Sequence, residues 1–209
     1  KKEEKKINKK EEINNKTFTG AVKDFVFAKW VYDLLSDGDN LEQAKKYLDK
    51  YEATSETKEF YKTLNKVYSL NAKLATGNMA PEFSFPDLNG KMVSLKDFRG
   101  KIVYLDIWAS WCGPCRREIP DAKILEEEMK GKEVAFLCVS VDPEEEPWKK
   151  IIKEKEMPGI HLLSKGNFES EICKLYNVRG IPRYVIIDKE GKIVKSDANR
   201  PSTNVKADL

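Results

Sequence analysis

"YLDIWASWCGPCRREIP", residues Tyr104 to Pro120, is the stretch on which the reading of this chain turns. An apolar run leads straight into two cysteines, Cys112 and Cys115, and a helix-like segment follows them. Three chemistries use such a pair: a structural staple, half of a metal site, or a redox centre. A redox cysteine attacks as its thiolate, so it needs a lowered pKa and access to a partner. Cys112 lies where strand gives way to helix, so unpaired backbone N–H groups and the positive end of the helix dipole favour its charged form. Arg116 and Arg117 add positive charge within a turn. Pro114 suits a first helical turn, where a missing donor costs nothing. Cys115, three residues on, can reach the first sulfur and is expected to be the more buried of the two.

The other chemistries find less support in the rest of the chain. Zinc needs about four ligands, yet Cys138 falls in an apolar strand, Cys173 in a helical stretch, and His161 is the sole histidine. Both remaining cysteines read as inert core thiols. A plain staple needs neither Trp111 beside it nor Asp106 upstream, inside a strand that otherwise reads as buried. A buried carboxylate is costly unless it handles protons or finds a partner. The alternative for Asp106 is an edge position facing solvent.

The chain has 209 residues, 40% of them apolar, enough for one good core plus an extension. Lysine and arginine total 38 against 35 acidic residues, so the charge of +3 is small and mixed, and no nucleic-acid partner is expected. Four cysteines do not make a disulfide scaffold, and no apolar run is long enough to span a bilayer. The abrupt start at "KKEEKK" fits a mature form whose targeting segment has been removed.

Residues 1–16 are too charged to bury much surface and read as a flexible tether or a frayed helix. Residues 17–76 read as a helical extension in three stretches. Phe18, Val22, Phe25, Val26, Trp30 and Leu34 share one helical face; Leu41 to Tyr51 follow, with Asn40 as cap and Gln43 completing a capping box; Phe60, Leu64, Val67 and Leu74 supply the third. Gly77 and Pro81 mark the boundary of a second unit, residues 77–209. There "FSFPDLNGKMVSL" reads as a hairpin turning at Asn89-Gly90. Strands then mostly alternate with helices: a helix from about Cys115 to Met129, the strand "EVAFLCVSV", helices near Trp148 to Lys155 and Phe168 to Tyr176, and a closing pair "RYVIID" and "KIVKSD". That order describes an α/β fold, a mixed sheet with helices on both faces. Pro182, at a strand entrance, implies an edge, a turn or a cis bond.

Several separated motifs together resemble one family. "WASWCGPC" with Asp106 upstream and Pro120 downstream, and "GIPRYVIIDKEGKIV", are similar to the thioredoxin superfamily, in particular its TlpA/ResA/CcmG-type thiol-disulfide oxidoreductases. "APEFSFPDLNGKMVSLKDFRGKIVYLDIWA" resembles the amino-terminal hairpin of that subfamily, and residues 142–163 its inserted helix and strand. The resemblance covers about residues 79–200. It implies that Cys112 attacks, Cys115 resolves, and the two form a redox disulfide. It further implies that Ile181-Pro182 is a cis-proline loop pairing with substrate, that Trp111, Gly113 and Pro114 shape the docking surface, and that Glu118 helps set thiol pKa values. Asp106, where many of these proteins have asparagine, would take the Cys115 proton. Arg183 after the proline is less usual and would favour an acidic partner. The family closes with a carboxy-terminal helix that here would only begin at "PSTNVKADL".

The expected function is therefore exchange of disulfides with extracytoplasmic protein partners, as a reductant, with no cofactor and no metal. The resemblance implies an upstream electron donor such as a membrane thiol transporter, a place in the bacterial periplasm, free or anchored through a removed amino-terminal segment, and work such as reducing apo-cytochromes. Two other classes remain: a peroxiredoxin-like peroxide reductase, against which "WASWCGPC" argues, and a redox-sensing module whose helical unit binds a partner.

Overall fold

The structure is a computed structural model that describes residues 9, 12–13, 16–37, 41–203 and 205–209. The strand leading to the cysteines, β3 (Ile102–Trp108), is central: its near-continuous apolar run is buried on both faces. It pairs in parallel with β4 (Val134–Ser140), which sets Asp106 beside Cys138. On its other edge it pairs antiparallel with β6 (Arg183–Ile187), which sets Asp106 beside Tyr184. With β5 (Ile160–Leu163) and β7 (Ile193–Lys195), the sheet order is β5-β4-β3-β6-β7. A parallel pair needs a crossover, and the helix α4 (Gly113–Glu128) joins β3 to β4 while α5 (Glu145–Glu154) joins β4 to β5. The inserted helix and strand expected over residues 142–163 are α5 and β5. The expected hairpin is β1 (Ser84–Pro86) with β2 (Met92–Ser94), closed by the Asp87 N–H on Lys91 O at 2.8 Å. Gly90, at φ +81°, takes a turn conformation that a side chain would strain.

Each face of the sheet is sealed differently. One carries the large core that includes Leu105, Ile107, Leu137, Val139, Trp148 and Ile172. On the other, Tyr104, Tyr184 and Ile186 pack under Leu125 of α4, under Met129 just past its end, and under Ala198 and Val205 of the carboxy-terminal segment. Alternation along β3 puts Asp106 on this second face with Tyr104. The carboxy-terminal segment forms one 3-10 turn, Val205–Asp208, with Val205 fully buried. The helix expected near Phe168 to Tyr176 is two pieces, a 3-10 turn Asn167–Glu169 and α6 (Glu171–Leu175), because Ser170 between them is extended, at φ −60° and ψ 157°.

The chain divides into two compact units, residues 1–73 and 74–209, three residues earlier than the boundary read from sequence. Leu74 belongs to the core of the second unit, and Gly77 and Asn78 exchange backbone bonds of 2.8 Å with Ile193. The first unit has α1 (Gly20–Asp37), α2 (Leu41–Thr54) and α3 (Tyr61–Lys73) around Phe27, Val31, Leu35, Leu48 and Tyr51. The expected face of α1 is corrected by about one residue: Val22 and Phe25 are exposed, and Phe27, Ala28, Val31 and Leu35 are buried. A carboxylate lies on the buried face as well. Asp24 turns inward to accept from the Thr57 N–H at 2.7 Å and the Thr57 hydroxyl at 3.2 Å. The cap read for Asn40 and most of the tether fall outside the described residues.

Candidate active site

The redox pair is built by the end of one strand and the start of one helix. Cys112 is the N-cap of α4, with extended backbone, and the Cys115 N–H points at Cys112 Sγ from 3.1 Å. That amide is one of the unpaired donors of a helix start, and it lies where it stabilises a thiolate on Cys112. The two cysteines are joined as a disulfide. Pro114 lies in the first turn, where its lack of an N–H breaks no bond. Both cysteines are only 4% exposed, so Cys112 is not the more accessible one, as the sequence suggested; the exposed surface here is Trp111, Gly113 and Pro114.

The loop before β6 closes the site from the other side. The Ile181-Pro182 bond is cis, and the Ile181 carbonyl lies 3.7 Å from Cys112 Sγ. Ile181 and Pro182 are half-buried. Arg183 is turned away from the role expected for it: its Nε donates to Ser196 O at 2.8 Å, and it pairs with Asp197 at 3.3 Å.

Asp106 is the least satisfied acid of the site. Part of its surface remains accessible, but Oδ1 is sealed from water and has no hydrogen-bond partner, as is the hydroxyl of its neighbour Tyr184. Burial, and secondarily the charge of Glu118, pushes the Asp106 carboxyl up to about 8. Burial and the neighbouring acids also push up the phenols of Tyr104 and Tyr184, whose rings stack 5.2 Å apart. The edge position is excluded for Asp106, because β3 is paired on both sides.

Glu118 follows Cys115 by three residues on α4, hence on the same helical face. It is 8% exposed and well held. Ser202 donates to it twice, from its N–H at 3.1 Å and its hydroxyl at 3.0 Å, and the Arg200 guanidinium lies 3.9 Å away. These partners come from the carboxy-terminal segment and were not foreseen.

Sequence reading also missed Asp142. This buried residue accepts from the Ser110 N–H at 2.8 Å, the Ser110 hydroxyl at 2.7 Å and the Ser140 hydroxyl at 2.6 Å. It thereby fixes the loop that carries Trp111 into Cys112. The signal lay in "WAS" and "VSVD", an acid just after a buried strand and hydroxyls at matching strand ends. Phe168 was missed too; its ring meets Trp111 edge to face, centroids 6.1 Å apart.

Three other titratable side chains are buried in the core. Cys138 and Cys173 are buried free thiols, and burial pushes both up. His161 is buried with Nε2 3.1 Å from Met157 O, and burial lowers its pKa. Among the described residues, no group of His, Cys, Asp and Glu is placed to hold a metal ion.

A family model described as Redoxin matches residues 75–209. The chain belongs to the redoxin family. This redoxin is 35% identical to the thiol-disulfide oxidoreductase ResA of Bacillus cereus over 128 residues, 61% of this chain and 72% of that protein. Among solved structures it is similar to the thioredoxin domain of a thiol-disulfide oxidoreductase from Bacteroides vulgatus, at 37% identity and TM-score 0.57, over 61% of this chain and 90% of that one. A thiol-disulfide oxidoreductase from Bacteroides fragilis aligns at 29% identity and TM-score 0.57, over 63% and 98% of the two chains. The redoxin is thus a thioredoxin-fold enzyme of the TlpA/ResA/CcmG type, a thiol-disulfide oxidoreductase with the Cys112–Cys115 pair as its redox disulfide. The helical unit, residues 1–73, lies outside the matched family region.

Proposed function

We propose that this redoxin works as a reductant of protein disulfides outside the cytoplasm. Cys112 thiolate attacks one sulfur of the partner disulfide, and the partner's other sulfur leaves as a thiolate. Cys115 loses its proton to Asp106 and attacks Cys112, which reforms the internal disulfide and releases the partner's second thiolate. Two electrons pass from the protein dithiol to the partner. Ile181 and Pro182 bind the partner chain by their backbone, and Trp111, Gly113 and Pro114 form the contact surface. A membrane thiol transporter, facing the same compartment, returns the electrons.

The single observation that supports the reducing direction is Glu118. A couple becomes oxidising when its reduced, thiolate form is stabilised. The carboxylate of Glu118, held inside by Ser202 on the Cys115 face of the helix, opposes that thiolate. Arg116 and Arg117 act the other way but are exposed, so water and salt screen them more than the buried acid. The test is a redox titration of the Cys112/Cys115 couple. A midpoint near that of thioredoxin, about −270 mV, supports a reductant, and one near about −120 mV, the range of a strong oxidant, contradicts it.

A further inference from the structure

We propose that the surface around the redox pair selects partners whose target disulfide lies in an extended segment, flanked by an aromatic side chain on one side and acidic side chains on the other. The inference deepens the reductant reading and rests on it for the chemistry, though not for the binding. Both sulfurs are recessed, at 4% exposure. A partner must therefore lay its chain against the rim to bring its own sulfur into reach, and the rim decides which chains fit.

On the Trp111 side the rim is aromatic and open. Trp111 is 50% exposed and Phe168 41% exposed, although the two rings are in contact. Paired large apolar side chains left facing water at a reactive centre mark a contact surface rather than core. Phe168 is also held in place. Gly166, at φ +123°, and Asn167, at φ +54°, make the turn beneath it. The Asn167 N–H donates to Val141 O at 2.8 Å, which ties the turn to the end of β4. An added Cβ at Gly166 would lie 3.3 Å from the Ser170 backbone nitrogen, so this turn has little freedom. A partner's aromatic ring meets a preset surface, and little ordering cost is left at binding.

On the helix side the rim is cationic. Arg116 and Arg117 are exposed and make no ion pair among the described residues. The Arg117 guanidinium lies against Gly113, between the two cysteines, 3.9 Å from where a Cβ would stand. Three other cations of this unit are each paired with an acid: Lys165 with Glu145 at 3.0 Å, Lys174 with Glu169 at 3.5 Å, and Arg183 with Asp197 at 3.3 Å. Glu118, the acid nearest this pair on the helix, is turned inward to Ser202. The uncompensated charge beside the sulfurs is positive, and carboxylates on a partner complement it.

The experiment has a binding arm and a reaction arm, both on the full chain. In the first, three peptides with serine in place of their cysteine are titrated onto the oxidised protein, with Trp fluorescence as the signal: one with phenylalanine and glutamates around the serine, one with alanine and glutamates, one with phenylalanine and lysines. The Phe/Glu peptide is expected to bind at least about fivefold more tightly than either other peptide, and its lead over the lysine peptide is expected to shrink as salt rises. Phe168→Ala should erase the Phe-over-Ala preference, and Arg116→Gln/Arg117→Gln the Glu-over-Lys preference. Equal binding of the three peptides, or preferences that survive both variants, overturns the proposal. In the second arm the same peptides, carrying cysteine as a mixed disulfide with 2-mercaptoethanol, are compared with hydroxyethyl disulfide. The arginine variant should lower the ratio of peptide rate to small-disulfide rate. If both rates fall in equal proportion, the arginines only tune the thiolate and the acidic half of the proposal fails. If no disulfide is reduced while the binding order holds, the reductant reading fails and the docking surface stands.

Discussion

Two aspartates stand close to the redox pair in sequence or space, and they live in opposite surroundings. Asp142, on the rim beyond β4, has both carboxylate oxygens occupied by Ser110 and Ser140. Asp106, on the sheet floor, has an Oδ1 with no partner and a carboxyl pushed up to about 8. The difference separates two uses of the same side chain. A buried acid with a full set of donors holds structure, here the loop that presents Trp111 and Cys112. One with a sealed oxygen that no donor reaches cannot ionise easily near neutral pH and is available to take or give a proton.

The largest expected effect inverts the usual sign of a buried substitution. Asp106 has a folded pKa of about 8 against an ordinary 3.8. Below about pH 4 the group is protonated in both states and costs nothing, and the cost of keeping it buried grows as pH rises toward about 8. Asp106→Asn should therefore stabilise the fold by an amount that increases across that window. Urea unfolding at several pH values measures it; a pH-independent loss would make Asp106 a structural partner like Asp142. Asp142→Ala should do the reverse, costing about 3 kcal/mol at any pH near neutral, because it leaves the Ser110 and Ser140 donors buried without an acceptor. If that variant is as stable as wild type, the two acids are not the contrasting pair described.

Ser202→Ala is a milder probe. It removes one of two donors to Glu118 and leaves the backbone N–H in place, so about 1 kcal/mol should be lost. A midpoint shift of the couple, absent when Glu118→Gln is already present, would tie Ser202 to the redox site rather than to folding alone. Smallest of all is the expected effect of removing the helical unit. A fragment beginning at Leu74 keeps the whole core of the second unit and should reduce hydroxyethyl disulfide at the full-length rate; a folded but inactive fragment would give the helices a share in the site.

How much of this was legible in the sequence depended on range. β3, the redox pair, the hairpin and the inserted α5 and β5 are local patterns, and they could be read because strand period, turn residues and helix starts are set by near neighbours. The cis Ile181-Pro182 bond was foreseen as one option for a proline at a strand entrance. What escaped were contacts between distant residues: Ser202 with Glu118, 84 positions apart, and Asp142 with Ser110, 32 apart. The same holds for α1, where periodicity gave the helix but not the contact of Asp24 with Thr57, 33 positions away, on its buried face. Exposure of Cys112 was misjudged because reactivity was equated with access, while the sulfur is recessed under a rim that only tertiary structure builds.

The most direct test of the account is the pH dependence of the resolving step. A mixed disulfide formed at Cys112 is followed by stopped flow as Cys115 displaces the partner, in wild type and in Asp106→Asn. As proton acceptor, Asp106 must be ionised to act, so the wild-type rate should climb through about pH 8, the value to which its carboxyl is raised. In Asp106→Asn that limb should vanish and resolution should slow. Identical profiles in the two proteins would contradict the proton-acceptor role.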